Sequence, residues 1–316
     1  GRPEQRTMRN AFAAAITALA AQDDRIVLLS GYIGNRLFDT YRARFPSRFY
    51  NCGVAEQNMT GMAAGLALSG LRPFTYTITP FATTRVIEQI RVDICYHNVP
   101  VVIVGTGSGL SYASLGPTHH SCEDVGILRT FPNLTVLCPA DAMEVGPTME
   151  AAVALPGPAY IRLGKKGEPT IHETPPTIEI GRGIVMRDGT DVCLLGMGTM
   201  TATALEAAKR LMAHGLSARV VSMHTVKPLD TDLLRKSFEQ FRLVAVVEEH
   251  SVIGGLGSAV AEWLAAHGPR RGVLEAIGTP DIFLSAAGSQ QWMREQCGLT
   301  PQAIAERITR RLKALR

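Results

Sequence analysis

One carboxylate stands among small residues. Glu56 lies in Gly53-Val54-Ala55-Glu56-Gln57-Asn58-Met59, with Gly61, Ala63, Ala64 and Gly65 close behind. Apolar positions at Met59, Met62, Ala63 and Leu66 predict a helix from Glu56 to Leu68. Glu56 then sits in the first turn, where the helix end favours an anion. The small neighbours let a second backbone or a flat ring come close. On these residues alone, Glu56 can be doing no more than suiting the helix end. Two histidines are the next candidates. His119 and His120 end a loop that begins Gly105-Thr106-Gly107-Ser108-Gly109-Leu110 and closes on Gly116-Pro117-Thr118. The loop has no Lys-Ser/Thr after its glycines and does not open a helix, so it is a poor phosphate cradle. Adjacent histidines share a metal badly. They fit a polar site beyond a strand end better. Phe81 is read either as core or as a ring bordering that site.

The elements that must position these groups alternate in type. Helical spacing covers Thr7 to Ala21, and Ile26 to Leu29 reads as a strand buried on both faces. The loop Ser30 to Asn35 follows at a carboxyl end, where open α/β sheets carry ligands. Further strands are expected near Phe74–Ile78, Val101–Val104, Leu134–Cys138 and Tyr160–Leu163. Thr79 is placed as N-cap and Pro80 as first residue of one helix running to about Tyr96. Another helix is expected to start near Ser121, and one to run from Asp141 to Leu155. The Pro/Thr-rich stretch from Glu168 to Thr177 reads as a linker. Beyond it strands are expected at Val192–Leu195, Arg219–Ser222, Leu243–Val247 and Val273–Ile277. Helices are expected at Thr201–Ala213, Asp230–Phe241, Gly257–His267 and Pro301–Leu315. The fold class is α/β: two domains, residues 1–170 and 186–316, joined by 171–185, each with a mostly parallel sheet covered by helices.

Composition excludes several classes. The chain has 316 residues, enough for two cores, with 46% apolar and 19% charged residues. A net charge of +4 gives no reason to expect nucleic acid as a partner. No apolar run is long enough for a membrane span, and the first residues, Gly1 to Arg9, lack a secretory pattern. The six cysteines include no Cys-x-x-Cys pair, which suits reduced thiols in a cytoplasm rather than a zinc site or disulfide frame.

The motifs as a set resemble the transketolase family. They are Gly53 to Met59, Phe74 to Phe81, Gly116-Pro117-Thr118-His119-His120, Cys138-Pro139-Ala140-Asp141, Met223-His224-Thr225-Val226-Lys227-Pro228-Leu229-Asp230, and Val247-Glu248-Glu249-His250 followed by Gly254 to Ala259. They run in order along nearly the whole chain. Several are shared with deoxyxylulose-phosphate synthase and with beta subunits of 2-oxoacid dehydrogenases. The resemblance implies a pyrimidine-binding domain followed by a transketolase C-terminal domain, as a stand-alone subunit of a split enzyme. It implies thiamine diphosphate as cofactor and two-carbon ketol transfer as reaction. Glu56 would contact the aminopyrimidine ring and take part in proton exchange, Phe81 would stack on that ring, His119 would contact the ketose, with His120 beside it, and Lys165 would meet a sugar phosphate.

The sequence contains no Gly-Asp-Gly with a downstream Asn, the set that holds magnesium and diphosphate in this family. A dianionic diphosphate needs such a cage, so Mg2+ is expected to be held by a partner, an N-terminal-type transketolase subunit. Pairing of two copies, each with its partner, then implies a heterotetramer. Three departures from transketolase stand out: Leu115 replaces an Asp, Gly107 a phosphate-binding His, and Ser30-Gly31-Tyr32 an Ala-Asp-Leu. Sugar-phosphate recognition is therefore partly dismantled or rebuilt, and the acceptor is left open between a sugar and a carrier-bound thiol. The competing readings are a 2-oxoacid dehydrogenase beta subunit, against which Gly-Pro-Thr-His and the Lys-Pro-Leu-Asp segment speak, and a non-catalytic stabilising subunit.

Overall fold

A computed structural model describes residues 7–33, 36–165, 167–268 and 270–315. The polar start of the chain (residues 1–6), Gly34 and Asn35 of the first loop, and Lys166 lie outside the described residues.

Buried apolar runs become strands. In chain order they are β1 Ile26–Ser30, β2 Phe49–Asn51, β3 Arg72–Ile78, β4 Val102–Thr106, β5 Thr135–Leu137, β6 Ala159–Leu163, β7 Ile184–Arg187, β8 Val192–Gly196, β9 Ala218–Ser222, β10 Thr225–Lys227, β11 Leu243–Ser251 and β12 Val273–Thr279. They form two sheets, ordered β10-β5-β6-β4-β3-β1-β2 and β12-β11-β8-β9-β7. All neighbours are parallel except β10 on β5 and β7 on β9. Two mostly parallel sheets clad by helices make this an α/β fold. β1, β4, β6 and β8 are buried at every position, as parallel strands covered on both faces must be.

The two sheets do not stay apart. β10 comes from the second half of the chain yet completes the first sheet, antiparallel to β5. Cys138 N–H donates to the His224 carbonyl at 2.7 Å, extending that seam. Between β6 and β7 no helix or strand occurs among the described residues. That segment is nevertheless pinned, because Ile171 and His172 amides both donate to Asp141 Oδ2, at 2.7 and 3.0 Å. Asp141 also caps the helix Ala142–Val153, which it precedes.

Two helices depart from the sequence expectation. The run expected from Thr79 to Tyr96 is broken into Thr79–Ala82, a 3-10 turn Thr84–Val86, Ile87–Gln89 and a π-helical stretch Ile90–Tyr96. Thr83 leaves helical geometry at φ −127°, ψ −85°. The Thr83 and Thr84 hydroxyls donate back to the carbonyls of Thr79 and Pro80, at 2.7 and 2.9 Å. Such back-bonding competes with the regular ladder. Thr79 is not the cap either: Ile78 holds that position, and the Thr79 hydroxyl donates to the Thr106 carbonyl at 3.1 Å. The helix expected near Ser121 begins at Asp124, because Ser121 pairs with Gly109 across the loop base.

Candidate active site

The helix Glu56–Leu68 starts after the Gly53 turn (φ +65°) and places Glu56 in its first turn. Glu56 is 5% exposed, although Val54, Ala55, Gln57 and Asn58 around it are exposed. A buried carboxylate needs a partner. Arg85 supplies one, Nη1 lying 3.0 Å from Glu56 Oε2. Arg85 was not singled out in the sequence. It reaches the site because the helix breaks at Thr83.

The same guanidinium lies over the Phe81 ring, 4.0 Å from its centroid. Phe81 is half-buried, with its ring meeting the His119 imidazole edge-to-face at 5.3 Å. Thr118 Oγ1 is hydrogen-bonded to His119 Nδ1 at 2.9 Å. His119 also packs on Tyr112 at 6.0 Å, and Lys165 Nζ lies 4.1 Å from the centre of the Tyr112 ring. Glu56, Phe81, His119 and Lys165 therefore fall on one chain of contacts, linked by Arg85 and Tyr112, which sequence reasoning missed. His120 does not join it. Its side chain is buried, its Nε2 has no hydrogen-bond partner among the described residues, and burial pushes its pKa down.

Tyr112 explains one departure from the family pattern. Gly107 has φ +74°, and a Cβ there would lie 2.0 Å from the Tyr112 ring. The ring fills the space that a side chain at 107 would use. Gly107→Ala is expected to cost about 1–3 kcal/mol, from the strained φ and the overpacked ring together. Urea unfolding measures it. An unchanged midpoint would show that Tyr112 yields freely and does not claim that space.

A buried polar network holds the loop base. Arg162 Nε is 2.8 Å from Asp124 Oδ2, and Tyr160 OH donates to the same oxygen at 2.6 Å. Burial alone would raise Asp124, but the Arg162 charge and these hydrogen bonds outweigh it and hold its pKa below the usual range. Arg162 Nη2 also donates to the carbonyls of Ser121 and Glu249, at 3.0 Å each. The second domain closes against this base backbone to backbone. A Cβ on Gly126 would stand 3.2 Å from Gly254, whose φ is +85°. That close approach accounts for the glycines at 126 and 254. Among the described residues no group of three or more His, Cys, Asp or Glu side chains could hold a metal ion. No described helix is long and apolar enough to cross a membrane.

This architecture has known counterparts. The family model "Transketolase, pyrimidine binding domain" matches residues 4–168, and "Transketolase, C-terminal domain" matches residues 181–304. The chain is 36% identical, over 97% of its length and 96% of the relative's, to a putative transketolase C-terminal section of Methanocaldococcus jannaschii. It is also 36% identical to the 6-deoxy-6-sulfo-D-fructose transketolase subunit SqwH of Clostridium sp., over 98% and 96% of the two chains. A solved structure titled "Split gene transketolase, inactive beta4 tetramer" superimposes with a TM-score of 0.88 at 38% identity, over 99% of this chain and all of that one. The chain belongs to the transketolase family and carries its pyrimidine-binding and C-terminal domains.

Proposed function

We propose that the chain is the beta-type subunit of a split transketolase, transferring a two-carbon ketol unit from a ketose donor with thiamine diphosphate as cofactor. The observation that carries this reading is the pairing of Glu56 with Phe81. An aminopyrimidine is flat and bears N–H groups, so it needs one acceptor carboxylate and one stacking face. The planar Arg85 guanidinium already makes both contacts, to Glu56 and to Phe81. The residues present therefore fit the pyrimidine end of the cofactor. When bound, the cofactor supplies a carbon nucleophile and an electron sink.

The protein's share is orientation and proton handling. Glu56 would share a proton with a ring nitrogen of the bound aminopyrimidine. Phe81 would hold the ring plane, and Arg85 would have to leave both groups to admit it. His119, fixed by Thr118 at Nδ1 and by the edge of Phe81, faces the donor and moves a proton at its hydroxyl groups. Lys165 supplies positive charge beyond Tyr112. The magnesium and diphosphate site belongs to a partner subunit, which agrees with relatives of this length being named as subunits or C-terminal sections. Two copies of each chain give a heterotetramer, with the exposed residues beside Glu56 at a subunit boundary.

Donor assays on the chain co-purified with its partner test the reading. Turnover of xylulose 5-phosphate, or of another ketose, with an aldehyde acceptor is expected. Decarboxylation of pyruvate with no ketose turnover would instead make the chain a 2-oxoacid dehydrogenase-type subunit.

A further inference from the structure

The loop that carries His119 is held from the other domain. It runs from Gly107 to His120, and its only regular element is one 3-10 turn, Ala113–Leu115. A loop of this length has many alternative conformations unless it is tied down. Its base is closed by Gly109 and Ser121, whose amides and carbonyls pair at 2.9 Å in both directions. One residue further in, the Leu110 amide donates to Glu249 Oε1 at 2.6 Å. Glu249 stands on β11 of the second sheet and is 2% exposed.

Gly109 is what admits this carboxylate. Its φ is +60°, and a Cβ there would lie 2.5 Å from Glu249 Oε1 and 2.8 Å from its carbonyl oxygen. The far side of the carboxylate is held as well. Gln290 Nε2 donates to both oxygens, at 2.9 and 3.2 Å, and Arg294 Nε donates to Oε2. From Leu110 a succession of turns leads to the histidine. Ala113 N–H donates to Leu110 O, Leu115 to Tyr112 O, Gly116 to Ala113 O and His119 to Gly116 O, at 2.8 to 3.3 Å. The fixed amide of Leu110 thus sets Tyr112, and Tyr112 sets His119 and the Lys165 ammonium.

We propose that Glu249 is a positioning residue, through which the C-terminal domain holds the His119 loop in the geometry that receives the donor. This rests on the ketol-transfer reading for its kinetic consequence, though not for the clamp itself. A misplacement of about 1 Å in a reacting group can cost on the order of a hundredfold in rate. Proton exchange at Glu56 depends on a different helix and does not need the loop.

Glu249→Ala and Glu249→Gln separate these effects. In the full chain, Glu249→Ala is expected to raise amide hydrogen exchange across residues 107–120 at least about tenfold, leaving the helix Glu56–Leu68 unchanged. With the partner and cofactor present, kcat/KM for xylulose 5-phosphate is expected to fall at least about tenfold. Exchange of the thiazolium C2 proton is expected to stay within about twofold of the parent. Glu249→Gln keeps an oxygen acceptor for Leu110 and is expected to restore most of the loop protection. If Glu249→Ala does not fold, Gln290→Ala and Arg294→Ala loosen the far side of the clamp and are expected to act in the same direction. Unchanged loop exchange in these folded variants would overturn the proposal. So would a loss of C2-proton exchange as steep as the loss of turnover. A parent complex that exchanges the C2 proton yet moves no ketol unit would sink the function reading alone, and the amide exchange would still decide the clamp.

Discussion

Glu56→Gln is expected to slow exchange of the thiazolium C2 proton by at least about a hundredfold, with folding and partner assembly nearly intact. General acid–base catalysis by one side chain contributes about 10²–10⁴-fold, and glutamine cannot exchange the proton. The fold should tolerate the change, because Glu56 sits in a first turn without a side-chain cap, and it pairs with a part-exposed arginine. A glutamine oxygen can still accept from Arg85. Proton exchange in the reconstituted complex, followed by NMR after quenching, gives the rate. A variant within about tenfold of the parent, a barrier difference of only ~1.4 kcal/mol, would leave Glu56 without its role.

Thiamine diphosphate is expected to bind the isolated chain weakly or not at all, and to bind tightly only when the partner subunit and Mg2+ are added. The seat for the pyrimidine consists of one stacking face and one carboxylate, and Arg85 holds both until it is displaced. A dianionic diphosphate left in water gains nothing from such a seat, whereas an octahedral magnesium site would neutralise it. Calorimetry on the purified chain, alone and with the partner, measures the difference. Sub-micromolar binding by the chain alone would mean that it holds its own diphosphate site.

What the sequence made legible follows from burial and from local geometry. β1, β4, β6 and β8 were readable because both faces are covered, which writes a continuous apolar run into the chain. β2, β7 and β10 are only three or four residues long, and β2 and β7 are partly exposed, so no such run marks them. Glu56, Phe81 and His119 could be picked out because each stands at a helix start or a loop end within a motif. Arg85 could not, since its place depends on where Thr83 breaks a helix that periodicity would continue. Tyr112 reads as an ordinary loop aromatic until Gly107 is seen to make room for it. Glu249 reaches Leu110 across 139 positions of sequence, a distance that no local pattern spans.

The strand exchange at β10 limits how the molecule can be divided. A fragment ending at the Pro/Thr-rich segment looks self-sufficient on paper, with six parallel strands and their helices. Without Thr225–Lys227 it would expose the outer side of β5, where Val136 and Leu137 are now paired. Uncovered, apolar strand borders recruit other chains edge to edge. Expressed alone, the N-terminal half should therefore self-associate. The unit that can be shuffled between genes is the whole two-sheet body.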